Sequence, residues 1–291
     1  MNPAIEAMIS TYGKLSGIHD EQNALKEIIQ KICLRALQRE GFFKKAAFHG
    51  GTALRIMYGL ERFSEDLDFC LENPNPEFRW IDFKKVVETE LKAYGFEAEF
   101  EAKKDNSESA VGSAFIKQST LKGLLVIESK SKASKEALLK VRLELDKSNP
   151  PGATYEEQFI RQPELFRVRT LDISSLYAGK MHAIIARQYN NRVKGRDYFD
   201  LLFYIQKSAK VNLSYLSNKL KDSGHIASDV VLNEKTLREI YLEKIETVNF
   251  KQAVSDVSPF LKPAQIENLK DWDVAYFKAL APLIEGTKPS F

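Results

Sequence analysis

Two aspartates separated by one residue, Asp66 and Asp68, are the side chains of this chain best suited to bind a metal ion. The two aspartates alternate with apolar residues, which predicts a strand with both carboxylates on one face and Leu67 and Phe69 on the other. Carboxylate oxygens are the ligands that Mg²⁺ prefers, and two-metal phosphoryl chemistry needs carboxylates that converge from a fixed backbone. The pair alone is a weak indicator, because surface strands often carry alternating acids.

A glycine-rich turn precedes the aspartates. Gly50, Gly51 and Thr52 follow a short apolar stretch and open a helix, where backbone N–H groups and the threonine hydroxyl can face a phosphate. Two cations and a second hydroxyl lie on this helix and in the loop before the aspartates: Arg55, Arg62 and Ser64. A triphosphate needs donors on one side and metals on the other, so we predict nucleotide binding here. A glycine turn with solvated charges is the alternative, and it does not explain this convergence.

A basic stretch follows in the second half of the chain. Residues 161–196 contain eight basic residues and two acidic ones, although the whole chain carries a net charge of only +3. Phosphate-backbone affinity depends on such clusters, so this stretch is the best candidate surface for RNA or a triphosphate. The candidate RNA contacts are Arg187, Arg192, Lys194 and Arg196. The alternative is a solvated helix face, which would account for about half of the basic residues.

Lys180 falls close to the apolar stripe of a predicted helix, so its ammonium group either reaches past that stripe to solvent or points at an anion. Asp197 and Asp200 are three residues apart and share one helix face. We expect one of these two acids to be structural, pairing with an arginine or capping the helix.

The composition, with 44% hydrophobic and 29% charged residues, indicates a globular protein and excludes a disordered one. Two cysteines in apolar surroundings predict free buried thiols, and we find no signal peptide or membrane span, so we expect a cytoplasmic protein. The four histidines show no metal-ligand spacing. The sequence also lacks the P-loop and kinase motifs, which argues against those ATPase and kinase folds.

The periodicity predicts an α/β half, residues 1–150, followed by a mainly helical half, residues 151–291. The strongest break between them is the Pro-Pro-Gly segment at 150–152. In the first half we predict helices at 20–40, 52–58 and 82–94 and strands at 46–48, 67–71, 96–100, 124–127 and 139–145. After the break we predict a strand near 166–168 and helices at 174–189, 197–206, 211–221, 234–243 and 264–284.

Two ordered motifs resemble those of the AbiEii/AbiGii toxin family, in the DNA polymerase β-like nucleotidyltransferase superfamily. The first is His49-Gly50-Gly51-Thr52 to Asp66-Leu67-Asp68-Phe69, and the second runs from Leu171 through Lys180 to Arg196-Asp197-Tyr198-Phe199-Asp200-Leu201. The resemblance covers residues 20–205 and implies an α+β fold, a polymerase β-like core of mixed sheet and flanking helices with a helical C-terminal region. Residues 151–291 would then complete the nucleotide and acceptor cleft.

The resemblance also implies roles for single residues. Asp66 and Asp68 would bind two Mg²⁺ ions, Ser64 and Lys180 would contact the triphosphate, and Asp197 would support the site or the acceptor. Relatives supply a third carboxylate from a later strand, commonly between two apolar residues. On the strand at 139–145, Glu144 fits this pattern better than Asp146, and both share a polar face with Lys140 and Arg142. A solvated strand face is the alternative for these acids.

The resulting hypothesis is a Mg²⁺-dependent nucleotidyltransferase, the toxin of a type IV toxin–antitoxin or phage-defence system. It would transfer a nucleoside monophosphate from a nucleoside triphosphate to RNA, with the 3′ end of tRNA as the expected acceptor. Its partner would be an antitoxin of transcription-factor type. The alternatives are transfer to a protein or small-molecule hydroxyl, and a nucleotide-binding regulatory module without turnover.

Overall fold

The computed structural model describes residues 2–13, 15, 17–75, 77–102, 120–131, 134–188 and 193–287. By internal contacts the chain divides into two compact units. The first contains Met1–Met57, Phe63–Asn149 and Glu156–Thr170, and the second contains Tyr58–Arg62, Pro150–Tyr155 and Leu171–Phe291. The functional division at residue 150 that the sequence suggests stays a prediction. The α+β class is confirmed, because the first unit is built on a mixed sheet and the second is composed mainly of helices.

Within its described residues, the first unit carries seven strands and four α-helices. The helices are α1 (Pro3–Ser10), α2 (Ile18–Arg39), α3 (Gly50–Tyr58) and α4 (Ile81–Ala93). The strands are β1 (Ala46–His49), β2 (Asp66–Leu71), β3 (Glu97–Ala102), β4 (Thr120–Ser131), β5 (Ser134–Asp146), β6 (Tyr155–Ile160) and β7 (Phe166–Leu171). They form one sheet in the order β3-β4-β5-β2-β1-β7-β6. Strand β2 therefore lies at the centre of the sheet.

The central strands are parallel where β2 pairs with β5 and antiparallel where β2 pairs with β1. Alternation along β2 and β5 fixes which side chains enter the core: Leu67, Phe69, Leu143 and Leu145 are completely buried. The residues between them point to the other face of the sheet. Since a slip of one residue would exchange the two faces, this apolar pattern sets the register that positions the acids.

In its described residues, the second unit is composed mainly of helices and 3₁₀ turns. Its helices are α5 (Ile173–Ala186), α6 (Gly195–Gln206), α7 (Leu213–Asp222), α8 (Glu234–Glu246), α9 (Phe250–Val257), α10 (Pro263–Glu267) and α11 (Val274–Ala279). Asp172 caps α5 by accepting from the Ser175 backbone N–H. Helix α5 packs against α6, α7 and α8, while α6 packs against α9. These contacts bury Tyr177 and Tyr198.

Most predicted elements are confirmed, with boundary shifts of a few residues. The single helix predicted for 264–284 is wrong, because Asp273 caps a new helix, α11, after the short α10 has ended. Helix α1, strand β6 and helix α9 were not predicted. Both cysteines are buried and free, as expected. Among the residues that the structure describes, no helix is both long enough and apolar enough to cross a membrane.

His182 lies on α5 within the second unit, and its Nε2 is 3.0 Å from the Ser223 hydroxyl. Burial lowers the pKa of its imidazole to about 3, and the nearby Lys219, His225 and Arg187 add to the effect. The folded state therefore keeps this imidazole neutral at pH values where the unfolded chain, with an ordinary histidine pKa of 6.5, binds a proton.

We expect the free energy of unfolding to fall as pH drops below 6.5, because only the unfolded state then gains a proton at His182. Between pH 7 and pH 5 this residue should account for about 1–2 kcal/mol of lost stability. Urea unfolding at both pH values should show a smaller loss for His182→Gln than for the wild type. The exposed His19→Gln should keep the wild-type dependence, and an equal loss in all three proteins would contradict the prediction.

Candidate active site

The candidate active site is centred on the polar face that β2 and β5 share. In the parallel register Asp66 pairs with Arg142, Asp68 with Glu144 and Cys70 with Asp146. Asp66 and Asp68 are both partly exposed, while Leu67 between them is buried. The two aspartates therefore share one face of β2, and Glu144 stands directly beside Asp68.

The register distinguishes the two candidates for the third carboxylate. Glu144 lies on the strand position next to Asp68, whereas Asp146 lies one pair further along, opposite the buried Cys70. The Asp146 carboxylate also accepts a hydrogen bond of 3.0 Å from the Ser148 backbone N–H, which closes the turn after β5. The structure thus places Glu144 nearer to the aspartate pair.

Arg142 stands on the same face, between two of these acids. Its Nη1 is 3.9 Å from Asp66 Oδ1 and 3.8 Å from Glu144 Oε1. Sequence reasoning noted Arg142 only as a member of the polar strand face. The signal that could have identified it is its position two residues before Glu144, since such residues project from the same face of a strand.

The glycine turn approaches Asp68 closely. Gly50 has φ +79°, a left-handed conformation, and a Cβ atom there would lie 2.1 Å from Asp68 Oδ2. His49, the residue before it, pairs with Asp68 in the β1–β2 register. Glycine at position 50 therefore provides both the backbone turn and the space that the Asp68 carboxylate occupies. Gly51 follows in the first turn of α3.

Thr52 is completely buried, and its hydroxyl donates a hydrogen bond to the Asp66 backbone carbonyl. This bond links the start of α3 to the first residue of β2, so it fixes the backbone on which both aspartates stand. The structure thus gives Thr52 a positioning contact. Its predicted contact with a nucleotide phosphate stays a prediction.

Helix α2 holds the loop before β2 in place. The Gln30 amide donates a 3.1 Å hydrogen bond to the Ser64 carbonyl, and Arg55 lies over the Phe63 ring at 4.0 Å. Arg55 also forms an ion pair with the buried Glu27. Burial alone would raise the pKa of Glu27, but Arg55 and Lys31 outweigh it and lower that pKa below its usual range.

Arg62 belongs to the second unit, where it forms a buried ion pair with Asp200. Its Nε and Nη2 donate to the two carboxylate oxygens at 2.6 and 2.7 Å, the paired geometry that suits a guanidinium. Both side chains are almost fully inaccessible to solvent. Burial by itself would lower the pKa of Arg62, but the Asp200 carboxylate raises it, so the arginine stays charged.

Lys180 joins the two acids that follow it in the sequence. Its Nζ lies 2.7 Å from Asp197 Oδ1 and 2.8 Å from Asp200 Oδ2. Asp197 also pairs with Arg187. Burial would raise the pKa of Asp197, but Lys180 and Arg187 lower it instead, so this carboxylate remains ionised. Both acids are thus held by cations, and the ammonium group of Lys180 is placed between them.

The predicted RNA contacts differ in accessibility. Arg187 is about half exposed, while Lys194 is half-buried just before α6. Arg196 is only 18% exposed, and its guanidinium packs 4.3 Å from the centre of the Phe260 ring. Arg192 lies outside the described residues. Arg187 therefore presents the most accessible charge of the three that the structure describes.

The donor chemistry of the β2–β5 face suits a hard divalent cation, because Asp66, Asp68 and Glu144 offer only oxygen ligands. The absence of a Cβ atom at Gly50 leaves room for the Asp68 carboxylate beside the turn. Within the described part of the chain, however, no three acidic, histidine or cysteine side chains are already grouped as a complete metal site. The residues thus fit Mg²⁺ by type and by strand position.

Replacing Asp200 by asparagine should strongly destabilise the second unit. The change removes the charge that accepts two hydrogen bonds from the buried Arg62 guanidinium, and breaking a buried pair in this way costs about 3–5 kcal/mol. The exposed pair between Arg79 and Asp82 provides the control, since Asp82→Asn should cost less than about 1 kcal/mol. Urea unfolding measures both variants. Equal effects would show that the Arg62–Asp200 pair contributes no more than a surface ion pair.

The chain is similar to a protein family and to solved structures. Residues 32–278 match the family described as "Nucleotidyl transferase AbiEii toxin, Type IV TA system". A crystal structure of a candidate nucleotidyltransferase from H. pylori aligns over 90% of this chain and 94% of its own, with 19% identity and a TM-score of 0.47. The crystal structure of JHP933 from Helicobacter pylori aligns over 93% of both chains, with 19% identity and a TM-score of 0.46.

A search of curated proteins found no match. The family match extends over most of the chain and includes both the glycine turn with the β2 acids and the segment from Lys180 to Asp200. This chain belongs to the AbiEii family of nucleotidyl transferase toxins of type IV toxin–antitoxin systems.

Proposed function

We propose that this nucleotidyltransferase transfers a nucleoside monophosphate from a nucleoside triphosphate to RNA in a Mg²⁺-dependent reaction, with the 3′ end of tRNA as the acceptor. Family membership supplies the reaction type and the triphosphate substrate. The observation that carries the metal assignment is the register of β2 with β5, which sets Glu144 beside Asp68 on the face that also carries Asp66. Carboxylate oxygens that converge from two adjacent strands are the hard ligands that Mg²⁺ prefers.

In this proposal Asp66, Asp68 and Glu144 hold the cation. When bound, Mg²⁺ supplies positive charge that neutralises the triphosphate and the departing pyrophosphate. The protein contributes mainly orientation and fixed charge. Asp68 is held against the Gly50 turn, and the Thr52 hydroxyl holds the backbone of Asp66.

The backbone N–H groups at Gly50 and Gly51, where α3 begins, are proposed to face a phosphate. Ser64 is proposed to donate to the same substrate, because its loop is held by Gln30 just before the metal ligands. Lys180 is proposed as a further phosphate contact, supported by Asp197 and Asp200. Two of its three N–H donors face these carboxylates, so the third is proposed to reach a phosphate oxygen.

The biological part of the proposal is that nucleotide addition to RNA arrests growth and that an antitoxin of transcription-factor type limits it. Membership of a type IV toxin–antitoxin family supports an antitoxin partner. Growth of cells expressing the chain with and without the gene next to it tests this pairing. Equal growth arrest in both strains would contradict the neighbouring gene as the antitoxin.

The acceptor is tested by incubating the protein with each α-labelled nucleoside triphosphate, Mg²⁺ and total tRNA. Parallel reactions contain total protein or small hydroxyl-bearing molecules instead of tRNA. We expect label in tRNA, and digestion from the 3′ end should release it first. Label in protein or in small molecules alone would overturn the RNA proposal while leaving the nucleotidyl-transfer site intact.

Variants of the three carboxylates test the metal site. We expect Asp68→Asn and Glu144→Gln each to reduce nucleotide transfer by about 100-fold or more, since even outer-shell changes at metal sites cost about 10–100-fold. Asp146→Asn is the matched control, because it removes an acid from the same strand but from the pair opposite Cys70. It should retain activity within a fewfold of the wild type. A fully active Asp68→Asn would refute the site, and a sensitive Asp146 with a tolerant Glu144 would exchange their roles.

Gly50→Ala tests the close approach of the turn to Asp68. The new methyl group would overlap Asp68 Oδ2, so we expect a loss of transfer activity of at least about tenfold. Gly59→Ala is the control, because it has nearly the same φ, +82°, but no heavy atom within 4 Å of the added Cβ. Both variants carry about 1–2 kcal/mol of left-handed strain. Similar activities of the two variants, at similar thermal stability, would contradict a role of Gly50 in seating Asp68.

A further inference from the structure

Arg142 stands in the ladder position directly opposite Asp66 and two residues before Glu144. A single nitrogen, Nη1, lies 3.9 Å from the Asp66 carboxylate and 3.8 Å from the Glu144 carboxylate. The guanidinium is therefore placed between acids from two different strands. Both acids belong to the proposed set of metal ligands.

The three carboxylates on this face would repel one another without a nearby cation, since like charges on neighbouring strand positions are unfavourable. Asp66 and Glu144 are about two-thirds buried, which makes the screening of their charges by water less complete. Arg142 offsets this repulsion from within the chain. Its own side chain is 55% exposed, so the free-energy cost of desolvating it is smaller than for a buried guanidinium.

The distances also describe how firmly the guanidinium is held. Both exceed the length of a hydrogen bond, so the contacts to Asp66 and Glu144 are ion pairs without a directional bond. An exposed side chain that makes only such ion pairs can move away from the acids at a small cost in free energy. A divalent cation, with twice the charge and direct oxygen coordination, would then take its place between the same acids.

We propose that Arg142 is a resident counter-ion of the acidic face and competes with the divalent cation for Asp66 and Glu144. This inference rests on the proposed metal site. Arg142 is a positioning residue in this scheme: it keeps the charged acids together before the metal binds and weakens the affinity for that metal. Removing its charge should therefore tighten metal binding, the opposite of what losing a ligand would do.

Calorimetric titration of the full chain with MgCl₂ alone tests the competition. We expect Arg142→Gln to bind Mg²⁺ about two- to fivefold more tightly than the wild type, the factor that the loss of an exposed ion pair corresponds to. Arg142→Lys keeps the charge and should stay close to the wild type. In EDTA the Arg142→Gln protein should melt at a lower temperature, and Mg²⁺ should raise its melting temperature by more than that of the wild type.

Lys140→Gln is the matched control. Lys140 lies on the same face of β5 and loses the same charge, but it pairs with Val126 of β4 and is two residues further from Glu144. It should change Mg²⁺ affinity by less than Arg142→Gln. Equal or weaker Mg²⁺ binding by Arg142→Gln, in a wild type that binds Mg²⁺, would overturn this inference alone. Failure of all four proteins to bind Mg²⁺ would overturn the proposed metal site together with it.

Discussion

The parallel pairing of β2 with β5 determines the position of every carboxylate at the candidate active site. Leu67 and Phe69 on β2, and Leu143 and Leu145 on β5, are completely buried, so the two strands must pair with these residues on the same face. The alternate positions then carry the acids on the opposite face. Burial of these apolar residues therefore fixes both the core packing of the sheet and the position of the acids.

Both units place cations beside buried or half-buried acids, but they do so in different ways. In the second unit Asp200 is sealed with Arg62 at hydrogen-bond distance, and burial makes that pair costly to break. On the β2–β5 face the guanidinium of Arg142 remains exposed and beyond hydrogen-bond distance. The first arrangement suits a fixed structural support, whereas the second suits charges that must exchange partners when a substrate or a cation binds.

Sequence periodicity predicted α2, β2 and β5 because each carries a continuous apolar pattern that is buried on one side. It missed β6, an edge strand whose glutamates and partly exposed positions lack such a pattern. The aspartate pair and its glycine turn were local and could be identified from spacing. The Arg62–Asp200 pair joins residues 138 positions apart, and no local pattern indicates such a contact. The register that favours Glu144 over Asp146 likewise depends on a neighbouring strand far away in sequence.

The contacts of Lys180 bear on the phosphate-binding role that the family motif implies for it. An ammonium group held between Asp197 and Asp200 directs two of its three N–H donors at buried carboxylates 2.7 and 2.8 Å away, so a phosphate can use more than one donor only if the group moves. Asp200 keeps Arg62 and Asp197 keeps Arg187 if the ammonium group moves, so neither acid loses its only counter-charge. The additional arginines therefore reduce the cost of releasing Lys180. If Lys180 binds a phosphate as proposed, Arg62 and Arg187 would support that contact without touching the nucleotide.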